Sequence, residues 1–290
     1  MRRRDLALLR NWDFALLLSG QAASNIGDDL LKMAILLHVY DVSGSARATT
    51  LAFLAATAPV AVLSVFAGAL VDRWDRKLTM ILCSAGSALA LASVAVAYLL
   101  GTLTIPQIVL VSFVEGAFAV VYGLAETSAL PRVVPQSQLP TAVAQQQLQY
   151  SLGRILGPPL GGALYSASPL LPFALDAASY AASSLSLPAI RARFSGARDT
   201  TNRSLQSEIA EGVRWLWVQP LVRYMAFLTG MLNFTGSGVT LIVIVLAQAQ
   251  SASPAATGAI SPLPGSAASW AHSSHHPSSD DSRSGRRSSA

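Results

Sequence analysis

Apolar residues run in long blocks separated by short polar turns. The blocks lie at 12–40, 48–71, 78–100, 107–129, 141–165, 170–190 and 221–249. A helix rises about 1.5 Å per residue and needs about 20 residues to cross a bilayer. Every block meets that length, and the first is long enough to tilt or to extend beyond the lipid. Pro59 predicts a kink in the second block. Gly44 and its flanking serines turn the chain after the first block, and Pro131, Pro135 and Pro140 punctuate the loop after the fourth. The stretch 191–220 is polar, yet Ile209, Val213, Leu216 and Trp217 recur at helical spacing. That pattern predicts an amphipathic helix on the membrane surface. Beyond 250 the chain is rich in serine, alanine and proline with no apolar run, which predicts disorder. The expected organisation is an all-α membrane protein: a six-helix bundle over 1–190, a linker over 191–220, a seventh helix over 221–249 and a disordered tail over 250–290.

Composition agrees with the blocks. Hydrophobic residues make up 52% of the chain and charged residues 12%, against about 25% charged in a soluble domain. Mean hydropathy is +0.47. The net charge of +5 does not point to nucleic acid, because the cations sit in loops between spans. They sit in alternate loops: the N-terminal tail with Arg2, Arg3, Arg4 and Arg10, the 72–77 turn, the loop with Arg132, and 191–220, while the intervening turns carry only Arg47. Cation-rich loops stay in the cytoplasm, so the N-terminus is predicted to be cytoplasmic. Cys83, the single cysteine, excludes an internal disulfide. The first block lacks a cleavage pattern and reads as a retained helix. His272, His275 and His276 lie in the tail with no scaffold to make a metal site. No cofactor or nucleotide motif is present, and no enzyme chemistry is expected.

The turn between blocks two and three reads Gly68-Ala69-Leu70-Val71-Asp72-Arg73-Trp74-Asp75-Arg76-Lys77. By itself it is a charged positive-inside turn. Its G-x-x-x-D-R-x-x-R-K pattern also resembles the signature between helices two and three of the major facilitator superfamily of transporters. The resemblance implies a charge latch between two transporter halves, with Gly68, Asp72, Arg73, Arg76 and Lys77 in the motif. Block five carries Gly153, Gly157 and Gly161 at i, i+4 and i+8, with Pro158, Pro159 and Gly162 beside them. Such a stripe lets another backbone approach closely. The string G-x-x-x-G-P-x-x-G-G is similar to the fifth-helix motif of antiporters in that superfamily. Asn11 to Phe14, Gln21, Gly27-Asp28, Ala129 to Pro131 and 173–180 resemble the macrolide-efflux and siderophore-exporter branch, over residues 8–250. One departure stands out: many drug exporters have an arginine in the fourth helix where this chain has Ser112, so the role of that arginine does not carry over.

Charges inside a membrane are costly and face a cavity or a partner. Asp28, Asp29 and Lys32 lie in the first block at spacings that allow pairing within the helix. Asp28, Glu115 and Arg154 all fall at about 20 Å from the cytoplasmic ends of their blocks. They are candidates for a shared cavity in which Asp28 or Glu115 takes up protons beside Arg154. The same placement fits a static ion pair that holds helices together. Glu126 and Asp176 lie nearer the block ends and are expected to reach the interface, as is His38.

The resemblance implies a major-facilitator fold and, for a complete relative, proton-coupled efflux of a small amphipathic substrate by alternating access, in a bacterial inner membrane. The partners implied are the lipid bilayer, protons and that substrate. Relatives of this kind have twelve spans, whereas the hydrophobic pattern here stops after the seventh. Up to about Ala256 the residues resemble the loop into an eighth span, and after Gly258 they look like a frameshifted reading. The alternative expectation is therefore a truncated membrane fragment or interaction scaffold, inactive by itself unless it forms a homo-oligomer.

Overall fold

The computed structural model describes residues 12–71, 73–190, 194, 205–250 and 252–260. Asp72, the N-terminal arginines and the tail histidines lie outside the described residues. Among the described residues there are α-helices and two single 3-10 turns, with no strand. The fold is all-α, as a lipid-embedded chain requires: each backbone polar group must be satisfied within its own segment.

The helices are α1 (Trp12–Ser43), α2 (Ala46–Val71), α3 (Arg76–Leu99), α4 (Ile105–Val133), α5 (Leu139–Ala167), α6 (Leu170–Ser186), α7 (Leu205–Val218), α8 (Pro220–Ala249) and α9 (Pro254–Ile260). The first six pack together: α1 lies against α5 and α6, α2 against α4, and α3 against α4 and α6. The turns form where glycine permits a left-handed backbone, at Gly44 (φ 60°) and Gly101 (φ 68°). Pro158 and Pro159 lie inside α5, which continues through them. The α7 helix forms over the predicted amphipathic stretch, with Trp215 and Trp217 exposed.

Two apolar clusters occupy the ends of the bundle. One joins Phe14, Leu17, Val71, Met80, Tyr122 and Leu130. The other joins Leu31, Ile35, Leu91, Ile108, Phe173 and Tyr180. Between them, α1 turns a run of polar residues inward.

Among the described residues, four helical segments are long and apolar enough to cross a membrane on their own: Ala46–Ser64, Arg76–Leu99, Ile105–Val133 and Pro220–Ala249. The α1, α5 and α6 helices fall short of that measure. Polar and small residues dilute α1 and α5, and α6 has only 17 residues. The tail also differs from expectation. Pro254–Ile260, read from sequence as disordered, is a helix docked on α5. A Cβ on Gly258 would strike the carbonyl of Pro158 and crowd Gly162, so both glycines are needed for the approach. Ser166 Oγ accepts from the amide of Ala255 at 3.1 Å and fixes the start of that helix.

Candidate functional site

The α1–α5 contact is built on the glycine stripe. A Cβ on Gly153 would stand 3.1 Å from the carbonyl oxygen of Asn25. One on Gly157 would stand 2.9 Å from the Leu30 nitrogen and closer still to Asp29, and one on Gly161 would overlap the carbonyl of Leu30. Glycine is therefore what lets α5 lie directly on the backbone of α1. Gly162 faces the other way, towards α9. A second close approach occurs at Gly116 of α4, where a Cβ would meet Ala56 and Pro59 of α2. That contact sets the position of the neighbouring Glu115.

Asp28 and Glu115 come together through a third residue. The hydroxyl of Tyr180 on α6 lies 2.6 Å from Asp28 Oδ1 and 3.3 Å from Glu115 Oε1. Glu115 and Tyr180 are both buried. Arg154 does not join them: it is exposed on α5, because the inward direction of that helix is taken by Gly153 and Gly157. The nearby cation is Lys32, which pairs with Asp29 at 3.0 Å and leaves 48% of its side chain exposed. It borders a groove between α1 and α2 lined also by Ile35, Ala52, Phe53 and Ala56.

Asp176 corrects a second expectation. It is 1% exposed rather than at the interface. Its Oδ1 sits against the bare α-carbon of Gly27 and accepts from Ser179 Oγ at 3.1 Å. Its Oδ2 has no hydrogen-bond partner among the described residues. Glu126 is likewise buried, not interfacial. His38 is buried among Tyr98, Tyr165 and Phe173. Tyr165 donates its hydroxyl proton to Asp41 at 2.9 Å, so the 3.2 Å contact with His38 Nδ1 requires the imidazole to donate.

The 72–77 turn has a role inside the bundle. Asp75 caps α3 by accepting from the amide of Leu78 at 2.9 Å. Arg76 donates through Nη1 to the carbonyls of Ser128 and Phe194, each at 3.3 Å. Lys77 Nζ donates to the carbonyls of Pro188 at 3.1 Å and Ile190 at 2.7 Å. Arg76 thus ties α3 to the last two turns of α4 and to Phe194, and Lys77 binds carbonyls at the turn after α6, where a helix end favours positive charge. Arg73 is exposed, and a Cβ on Gly68 would meet nothing within 4 Å.

Sequence reading passed over Tyr180 and the role of Asp75. A signal for each was present. Asp176 and Tyr180 stand one turn apart on α6, and an acid three residues before Leu78 is a capping position.

Long apolar helices packed around buried carboxylates define a multi-pass membrane protein. Residues 4–273 match the model of the transmembrane secretion effector family, and the chain belongs to that family of major facilitator superfamily transporters. It is 32% identical over 163 residues to macrolide efflux protein A of Streptococcus pyogenes, an alignment covering 54% of this chain and 39% of that protein. It is 26% identical over 219 residues to multidrug efflux pump Tap of Mycolicibacterium fortuitum, covering 73% and 54%. It is 30% identical over 152 residues to an uncharacterised MFS-type transporter of Bacillus subtilis, covering 52% and 35%. The chain spans about half or less of the length of these relatives.

Proposed function

We propose that the chain is the proton-handling half of an efflux carrier that exchanges an amphipathic organic molecule for protons by alternating access. The observation that carries this reading is the Asp28–Tyr180–Glu115 triad. A phenol has one proton to give. At 2.6 Å that proton goes to Asp28. Glu115, facing the phenol oxygen at 3.3 Å, completes a hydrogen bond only when it carries a proton itself. Two carboxylates from different helices thus share a site whose bonding depends on their protonation. The names of the efflux relatives support the substrate class.

The substrate path lies between this half and a second bundle, facing Lys32 and the groove beside it. The cation-rich 72–77 and 191–220 stretches face the cytoplasm. Cysteines introduced at Ser45 and Ser204 test this in intact cells: an impermeant reagent labels Ser45 and spares Ser204. The opposite pattern reverses the topology.

Transport is tested in liposomes holding the chain together with the C-terminal half of a relative, under an imposed proton gradient. Macrolide or dye movement is expected to follow the gradient and to vanish with a protonophore. It is also expected to fall in Asp28→Asn and Glu115→Gln. Movement indifferent to the gradient would sink the coupling. The chain without a second half is expected to move nothing.

A further inference from the structure

A second buried carboxylate lies apart from the triad. Glu126, on α4, is 2% exposed and stands eleven residues, about 16 Å of helix, from Glu115. Its partners are neutral. Tyr150 of α5 donates to Glu126 Oε2 at 3.3 Å, and the buried Gln146 stands one turn before Tyr150 on the same helix. Gln21 of α1 donates in turn to the Tyr150 hydroxyl at 3.4 Å. Donors therefore point in sequence from Gln21 through Tyr150 to Glu126. The other ionisable groups around it are few. Tyr122 shares its helix, and Cys83 of α3 lies beside Tyr122. Arg76 of α3 is bound to the carbonyl of Ser128. Asp28 stands two turns along α1 from Gln21, and α2 carries only Arg47, at its far end. Glu126 makes no ion pair among the described residues.

The ground between Glu126 and the triad is polar and unsatisfied. Gln21, Ser24, Asn25 and Asp28 follow one face of α1 at i, i+3, i+4 and i+7. Gln21, Ser24 and Asn25 are 4%, 7% and 8% exposed. Gln21 Oε1, Ser24 Oγ and Asn25 Nδ2 have no hydrogen-bond partner among the described residues, and neither do Gln145 Oε1 and Gln149 Oε1 across the seam on α5. Buried polar atoms left without protein partners are satisfied by water. Five such atoms on α1 and the α5 helix packed against it make a polar track. Beyond Asp28 the character of α1 changes, with Leu31, Ile35 and Val39 joining an apolar cluster. The track is thus polar on the Glu126 side of the triad and closed by apolar packing on the other.

We propose that Glu126 is a second proton-binding residue, joined to the Asp28–Tyr180–Glu115 site by water held along Gln21, Ser24 and Asn25 between α1 and α5. This deepens the proton-coupled reading of the triad and rests on it. Glu126 is the station on the side that carries the 72–77 turn. It holds a proton passing between the triad and the water on that side.

The test needs no transport. The purified chain, reconstituted in lipid, is titrated while its carboxylic C=O stretch is followed by infrared difference spectroscopy. Two sets of pH-dependent bands are expected: one lost in Glu126→Gln, the other lost or shifted in Asp28→Asn and Glu115→Gln. Glu126→Gln keeps an acceptor for Tyr150 and nearly the same shape, so the variant is expected to fold. An unchanged spectrum in Glu126→Gln would overturn the station. Bands lost in Glu126→Gln but unaltered by the triad variants would sink the triad reading and leave Glu126 as a solitary titrating group. Exchange into deuterated water tests the track. Asn25→Leu, or Ser24→Val where Asn25→Leu does not fold, is expected to slow the isotope shift of the triad band at least tenfold. The Glu126 band should keep its rate. Equal exchange rates in both variants would overturn the track.

Discussion

The α1 and α8 helices are of similar length and fill opposite roles. Of the 32 residues of α1, 15 are buried, and these include Gln21, Ser24, Asn25 and His38. Of the 30 residues of α8, only Ile244 is buried. Glycines mark the same contrast. Those on α5 facing α1 have a backbone within contact distance, whereas Gly230, Gly236 and Gly238 of α8 have nothing within 4 Å. An apolar surface costs little against lipid tails, which are as apolar as the side chains themselves. A polar surface is different, because each unsatisfied group in hydrocarbon costs several kcal/mol. The helix that carries polar groups must be wrapped by its neighbours. The α8 helix, whose Asn233 and Thr240 bond back to carbonyls of their own helix, can stand against lipid, or against a second bundle, by the same face.

The strongest way to break this contrast is to push α1 off α5. Gly157→Leu places a branched side chain where even a Cβ stands 2.9 Å from the Leu30 nitrogen. Overpacking of this kind costs about 3 kcal/mol or more where backbone cannot yield. The variant is expected to lose its monodisperse peak on size exclusion. A melting temperature equal to the parent's would show that the stripe is not a close contact.

The clasp at the 72–77 turn comes next. Arg76→Ala removes the hydrogen bonds to the carbonyls of Ser128 and Phe194 and is expected to cost about 1.5–3 kcal/mol. Arg76→Lys recovers only part of this, since an ammonium lacks the planar fork. Thermal unfolding in detergent orders the three proteins, and equal stability of Arg76→Ala and parent would remove the clasp.

Tyr180→Phe deletes the shared hydroxyl and leaves Asp28 and the buried Glu115 without their common partner. The expected cost is about 1–3 kcal/mol. Pairing Tyr180→Phe with Glu115→Gln in a double-mutant cycle checks the coupling: additive losses would mean that the two groups do not share a bond.

Asp75→Ala removes a cap and is expected to cost about 1 kcal/mol, while Asp75→Asn stays within a few tenths. Equal losses in the two variants would assign the effect to charge instead of capping.

The smallest effect is expected on α8. Phe234 is 82% exposed, and Phe234→Ala should change stability by less than about 0.5 kcal/mol. A loss of several kcal/mol would mean that this face of α8 is packed, and the contrast with α1 would fail.

Much of the fold was legible because its signals are local. Long apolar runs demand helices in lipid, proline and glycine mark the turns, and glycines four residues apart announce a face that a backbone can approach. Part of the site was legible too. Asp28 and Glu115 were singled out by charge within apolar blocks and by depth along their helices, and the structure places them on one hydroxyl.

Other parts depended on direction around the helix axis. Arg154 shares the depth of Asp28 and Glu115 but points outward, since Gly153 and Gly157 take the face against α1. Glu126 and Asp176 lie nearer the ends of their blocks and are nonetheless enclosed by neighbouring helices. Arg76 and Lys77 reach carbonyls more than fifty and a hundred residues away. A sequence states how far along its helix a side chain lies. Crossing angles and relative rotations decide what that side chain meets. These are set by packing among residues distant in the chain, and so the spans and turns belong to the sequence while the polar partnerships belong to the tertiary structure.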